Sequence, residues 1–85
     1  MTRQEIYDHI LVTLAHLYEH PLHRTQYYRF TFAPSDEQQA QYVLSQLVNK
    51  LIIEQLESGV VRFTDFGYKE IQKDLKRIKS KKTSK

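Results

Sequence analysis

With 85 residues, the chain is long enough for one hydrophobic core and too short for a second domain of ordinary size. It contains no cysteine, which excludes a disulfide framework and a thiolate metal site, and its 40% hydrophobic and 27% charged residues are typical of a folded protein. No apolar run approaches the roughly 20 residues that span a bilayer, and no signal-peptide pattern opens the sequence, so we expect a cytoplasmic protein.

The net charge of +3 is unevenly distributed along the chain. Six of the 13 lysines and arginines lie in the last ten positions, whereas residues 1–75 carry seven basic and ten acidic side chains. This pattern predicts a single domain over residues 1–79 and a flexible basic tail over residues 80–85. Such a tail is either a solvated terminus or a set of phosphate contacts.

The first predicted helix begins near residue 3. Thr2 and Glu5 have the spacing of a capping box, in which a hydroxyl and a carboxylate satisfy free N–H groups at a helix start. The apolar residues that follow recur at helical spacing: Ile6, Ile10, Leu14 and Leu17. Pro21 disfavours helix at the residue before it and should end this element.

Residues 24–32 can be interpreted as a strand or as a short helix. Aromatic side chains at Tyr28, Phe30 and Phe32 alternate with other residues, which favours the strand. These large side chains either belong to the core or form an edge strand that binds a partner or a second copy. The partner surface predicted on this basis consists of Tyr27, Tyr28, Phe30 and Phe32.

After Pro34, Ser35 is the expected N-cap of a second helix, and Gln38 is placed to close a capping box. Residues 51–56 and 60–64 then predict a β-hairpin, with Gly59 in the positive-φ conformation that its turn requires. Asp65 is the expected cap of a last helix. That helix is predicted to place four apolar side chains on one side: Phe66, Ile71, Leu75 and Ile78.

The stretches Val43–Glu54 and Gly59–Ile71, which include Thr64-x-x-Gly67, resemble the second half of a winged helix-turn-helix domain. Small bacterial and phage regulators of the MarR or PadR kind carry a similar pattern. The resemblance implies an α+β, winged-helix-like fold: helix, short strand or helix, helix, β-hairpin wing, C-terminal helix. Leu51 stands where that pattern has glycine, so we expect Asn49 or Lys50 to take the left-handed conformation. A strand at residues 24–32 would leave the first helix of the helix-turn-helix missing or displaced.

The same resemblance implies double-stranded DNA as the partner and the second helix as the recognition helix. The residues predicted to bind DNA are those on the outer face of that helix, one wing arginine and the basic C-terminus: Gln38, Gln41, Tyr42, Ser45, Gln46, Asn49, Arg62, Lys76, Arg77, Lys79, Lys81 and Lys82. A homodimer is expected, because two-fold assembly is common and doubles the contacts. The competing hypothesis is a winged-helix protein-interaction module without sequence-specific DNA binding.

An enzyme is not expected, because the chain lacks a phosphate-binding glycine loop, a nucleophile elbow and a paired-carboxylate motif. His16, His20 and His23 have a spacing that zinc sites use, yet no cysteine accompanies them. His16 and His20, together with His9 and Thr13, are more simply explained as the polar stripe of an amphipathic helix. The sequence therefore predicts no metal and no cofactor.

Overall fold

The computed structural model describes the backbone of residues 1–83 and the side chains up to residue 80. Within these residues, four helices accompany a three-stranded antiparallel sheet in the order β1-β3-β2, and the predicted α+β class is confirmed. The elements are α1 (Arg3–Glu19), β1 (Tyr28–Arg29), α2 (Glu37–Asn49), β2 (Ile53–Glu57), β3 (Val60–Phe63), α3 (Asp65–Glu70) and α4 (Gln72–Thr83).

Helix α1 is capped as its sequence predicts. The Thr2 hydroxyl accepts a hydrogen bond from the Glu5 N–H at 3.1 Å, and the Glu5 carboxylate accepts one from the Thr2 N–H at 2.6 Å. These two bonds satisfy donors that a helix start otherwise leaves unpaired. The helix ends at Glu19, with His20 as its C-cap immediately before Pro21.

The hydrophobic core is assembled around α1, which packs against α2, β3 and α4. Its apolar stripe is buried at Ile6, Ile10 and Leu14 and partly buried at Leu17, and apolar residues of the later helices join the same cluster. The cluster includes Ile6, Ile10, Leu11, Leu14, Leu44, Leu47, Ile71 and Leu75. The core therefore depends on contacts between elements far apart in sequence, as a domain of this size requires.

The ambiguous segment forms a strand. Tyr28 and Arg29 pair antiparallel with Val61 and Val60, so β1 is an edge of the sheet. Between β1 and β2 the described chain contains one helix, α2. The two-helix unit that would place a recognition helix in a DNA groove is therefore not formed at this position.

The predicted cap of α2 is wrong. The N-cap is Asp36 in place of Ser35, and its side chain makes no capping hydrogen bond. A turn precedes the helix, in which the Asp36 N–H donates to the Ala33 carbonyl at 2.9 Å. The Asp36 carboxylate instead accepts from the Met1 ammonium at 2.9 Å, a contact between distant parts of the chain.

The last predicted helix is two helices, and its cap is Thr64 in place of Asp65. The Thr64 hydroxyl accepts from the Gly67 N–H at 2.8 Å, while the Asp65 carboxylate accepts from the Tyr18 hydroxyl. The predicted apolar side is buried at Ile71, Leu75 and Ile78, but Phe66 is 54% exposed. The predicted domain end at residue 79 lies inside α4, which runs to Thr83.

Two turns take positive φ. Gly59 in the hairpin has φ +80°, as predicted. At the end of α2 the prediction is wrong, because Leu51 itself has φ +63° whereas Lys50 has φ −86°. The Leu51 N–H donates to the Val48 carbonyl at 3.0 Å, and the Ile52 N–H donates to the Leu47 carbonyl at 3.0 Å, so the left-handed residue closes the helix in the usual C-terminal pattern.

Helix α3 lies very close to the start of β2. An added Cβ atom at Gly67 would be 1.9 Å from the Ile52 carbonyl oxygen, so only glycine fits at this crossing. Within the described chain, no helix is both long enough and apolar enough to cross a membrane.

Replacement of Leu47 by alanine should destabilise the protein by about 2–5 kcal/mol, because it leaves a cavity in the core. Equilibrium urea denaturation measures this change. Gln41→Ala, at an exposed position of the same helix, is the matched control and should stay within about 0.5 kcal/mol of wild type. Equal unfolding midpoints for Leu47→Ala and wild type would contradict the core assignment.

Replacement of Leu51 by glycine should stabilise the protein by about 0.5–1 kcal/mol. The left-handed conformation costs a residue with a Cβ atom about 1–2 kcal/mol, and glycine offsets part of this gain through its greater freedom in the unfolded chain. The Leu51 side chain is 68% exposed, so little burial is lost. Thermal denaturation measures the effect, and a lower melting temperature for Leu51→Gly would count against the assigned conformation.

Candidate nucleic-acid interface

The outer face of α2 is exposed as predicted. All six polar residues assigned to it point to solvent: Gln38, Gln41, Tyr42, Ser45, Gln46 and Asn49. Two grooves, of about 580 Å³ and 370 Å³, border this face and share Arg3 and Tyr42 in their walls. The Arg3 guanidinium lies 4.1 Å from the centre of the Tyr42 ring and its Nε donates to Gln39 Oε1 at 2.9 Å, so it separates the two grooves.

The larger of these grooves, here called the α1–α2 groove, is positively charged. Its two charged wall residues are Arg3 and Lys50, and buried side chains of Val43, Leu47 and Ile52 form its floor. The sequence analysis did not identify Arg3, because its approach to Tyr42 depends on the packing of α1 against α2. An anionic group with an apolar neighbour is the ligand chemistry that such a groove suits.

Arg62 is held by contacts within the protein. Its guanidinium forms an ion pair with Glu54, donates to the Thr25 carbonyl and lies 4.5 Å from the centre of the Tyr27 ring. Glu54 is its cross-strand partner in the hairpin. The groove beside Arg62 shares no wall residue with the groove beside Tyr42. The structure therefore does not bring Arg62 together with the predicted reading face.

The rest of the wing is also close to neutral. At its tip, Glu57 forms an exposed ion pair with Arg29 at 3.4 Å. Arg24 donates from Nε to the Tyr18 carbonyl at 2.8 Å and lies 4.9 Å from the centre of the Tyr18 ring. These arginines are occupied by neighbours inside the domain, so the wing offers little charge for a phosphate.

The predicted aromatic partner surface is largely part of the core. Phe30 is 7% exposed, Phe32 is partly buried against the core, and Tyr27 lies under Arg62. Tyr28 remains exposed, with its ring centre 4.7 Å from that of Phe30. The segment therefore supplies buried area to a small domain, and an interface built on Phe30 is not available.

Helix α4 is attached to α1 by polar contacts on one side. The Tyr7 hydroxyl donates to Asp74 at 2.6 Å, and Arg77 donates to Asp8 at 3.0 Å. Burial, followed by the hydrogen bond to Asp74, raises the pKa of Tyr7 above its usual value and keeps the phenol protonated as a donor. Arg77 is thus occupied, although the sequence analysis assigned it to DNA.

The lysines of the C-terminal helices are arranged differently. Lys69, Lys73 and Lys76 are exposed, recur at intervals of four and three residues, and make no ion pair with the described residues. The sequence analysis missed Lys69 and Lys73, although the helical spacing of Lys73 and Lys76 in α4 was a readable signal. Lys79 is also exposed, whereas the side chains of Lys81 and Lys82 lie outside the described residues.

The histidines form a small ring contact. The His20 and His23 rings lie 4.4 Å apart, and His20 Nδ1 accepts from the Leu22 N–H at 3.2 Å. In the part of the chain that the structure describes, no group of three or more metal-ligating side chains is placed to hold an ion.

Arg62→Ala should lower stability by about 0.5–1.5 kcal/mol, because it removes the hydrogen bonds of a half-buried side chain to Glu54 and to the Thr25 carbonyl. Lys76→Ala, at an exposed position, should leave stability unchanged. Thermal melts and duplex titrations of both variants separate structural from binding roles. Loss of DNA affinity without loss of stability in Arg62→Ala would show that Arg62 contacts the ligand.

Comparison with known proteins adds no relative. No protein-family model matches the chain, and neither a curated protein nor a solved structure matches it. Any functional assignment therefore depends on the geometry and charge of the residues described above.

Proposed function

We propose that this chain is a small DNA-binding regulator with a winged-helix-like architecture, in which the lysines of α3 and α4 contact phosphates. Ammonium groups that protrude from one helical surface bind the DNA backbone by releasing counterions, without regard to base sequence. Lys69, Lys73, Lys76 and Lys79 all lie on exposed positions of these helices.

One observation carries this proposal: the five arginines have different surroundings from Lys73 and Lys76. Each arginine is held by a neighbour inside the domain, through Gln39, the Tyr18 carbonyl, Glu57, Glu54 or Asp8. Lys73 and Lys76 have no such acidic partner among the described side chains. Their charge is therefore available to an external anion, and a solvated ammonium is a suitable point contact for phosphate.

The order of elements supports the winged-helix part of the proposal. A helix, an edge strand, a second helix and a β-hairpin follow one another, and β1 pairs with the returning strand of that hairpin. Although no other helix lies between β1 and α2, we propose that α2 takes the place of a recognition helix, and its amide side chains suit adenine. The outer face of α2 is uncharged, and Asp36 and Glu37 lie at the start of the helix. We therefore expect base contacts by α2 to add modest specificity to the phosphate contacts made by the lysines of α4.

A protein-interaction module is the second candidate, favoured by exposed apolar side chains at one place. Leu51 is 68% and Phe66 54% exposed. They lie in neighbouring segments of the chain, since the Thr64 hydroxyl donates to the Leu51 carbonyl at 2.6 Å and Gly67 lies against Ile52. Exposed apolar side chains in neighbouring segments are typical of contact surfaces.

The salt dependence of DNA binding tests the leading proposal. Truncation after Ile78 removes four lysines, and Lys73→Ala with Lys76→Ala removes two within the described helix. Each lysine that contacts a phosphate should contribute about 0.9 to the slope of log K against log salt concentration, so both variants should flatten it. Fluorescence anisotropy of a labelled duplex, at several salt concentrations, measures the slope.

Lys73→Arg with Lys76→Arg is the matched control, because it keeps both positive charges at the same exposed positions of α4. It should leave the slope unchanged. If the full chain fails to bind duplex DNA even at low salt, the DNA proposal is excluded and the interaction module is preferred. Gln41→Ala and Tyr42→Ala should weaken binding to a preferred site by about 1–3 kcal/mol if α2 reads bases.

A further inference from the structure

We propose that the tip of the wing of one copy docks into the α1–α2 groove of a second copy, so that a two-fold symmetric dimer forms through two identical contacts. The wing tip is defined here as residues 56–58, the last two residues of β2 and the first residue of the turn to β3. A symmetric pair uses the same two surfaces on each chain, so each contact is made twice.

The wing tip presents an apolar side chain beside a carboxylate. The pairing of β2 with β3 shifts between Gln55 and Glu57, so Leu56 has no cross-strand partner. A bulge of this kind redirects a side chain away from the ladder. Leu56 is 63% exposed, and the Glu57 side chain is 60% exposed with one weak ion pair.

The α1–α2 groove has the complementary chemistry. Its charged wall residues, Arg3 and Lys50, are both cationic, and its floor is apolar. A leucine against Val43, Leu47 and Ile52, with a carboxylate beside Lys50, would match both features. The groove volume of about 580 Å³ exceeds that of a single leucine side chain and leaves room for the turn.

The contact must join two chains. Strand β2 begins at Ile53, directly after the groove residue Ile52, and runs outward to Glu57. Glu57 is four residues after Ile53, so at about 3.3 Å per residue the wing tip lies about 13 Å from the groove of its own chain. Because β2 is an edge of the sheet, a second copy can approach it without displacing another strand.

Charge exchange between the two surfaces tests the proposal. Lys50→Glu and Glu57→Lys should each raise the dimer dissociation constant at least about tenfold, because each converts two attractive contacts into repulsive ones. An equimolar mixture of the two variants should form a heterodimer, since both of its contacts again join opposite charges. Sedimentation equilibrium of the full chain measures the dissociation constants of the two single variants and of their mixture. The Lys50→Glu/Glu57→Lys double variant should also dimerise.

Leu56→Ser tests the apolar part and should weaken the dimer as well. Leu22→Ser is its matched control, because Leu22 is 79% exposed in the turn after α1, and it should have no effect. Circular dichroism checks that these exposed substitutions leave the fold intact. A wild-type chain that stays monomeric up to about 1 mM, a dimer insensitive to the substitutions, or a mixture that fails to associate would each overturn the proposal.

Discussion

The fold depends on the close approach of α3 to the strand that leaves α2. A Cβ atom at Gly67 would overlap the Ile52 carbonyl, so the two backbones are in direct contact. Thr64 holds the same crossing from the other side: its N–H donates to the Ile52 carbonyl at 3.0 Å and its hydroxyl to the Leu51 carbonyl at 2.6 Å. The end of α2, the return of the wing and the start of α3 are thereby joined within four residues of sequence, Thr64-x-x-Gly67.

From this crossing the chain turns back along α1. Ile71 ends α3, and α4 then packs its apolar residues on the buried stripe of α1. Tyrosine–carboxylate hydrogen bonds join the same elements, through Tyr18 to Asp65 and through Tyr68 to Glu19. Such charge-assisted bonds are stronger than neutral ones. They fix the position of α3 relative to α1, which apolar packing alone does not determine.

The sequence predicted those parts of the structure that local signals specify. The capping box at Thr2 and Glu5 and the Gly59 turn need only a few neighbouring residues and are confirmed, whereas the stripe of the last predicted helix is confirmed except at Phe66. The cap of α2 was missed because Asp36 binds Met1, which is distant in sequence. The conformation of Leu51 was missed because a residue with a Cβ atom rarely takes a positive φ.

The candidate site was predictable to a similar extent. Helical periodicity predicted the outer face of α2 correctly, because the apolar residues of the opposite face are buried and the polar residues must then face solvent. The role of Arg62 was not predicted, although the hairpin register that follows from Gly59 places it opposite Glu54. A cross-strand pair of opposite charge is a local signal for an internal ion pair. The sequence predicts the spacing of Lys73 and Lys76. Binding of an anion by these lysines also depends on the ligand, which the sequence does not specify.

The separate surroundings of arginines and lysines have a consequence for chemical modification. Acetylation acts on amines and not on guanidinium groups, and it removes the charge of a lysine. Lys69, Lys73 and Lys76 make no ion pair with the described residues, so their acetylation would alter the surface while the internal contacts of the arginines persist. Under the proposed function, each acetylated lysine would therefore lose its contact with a phosphate, while the melting temperature of the domain stays the same.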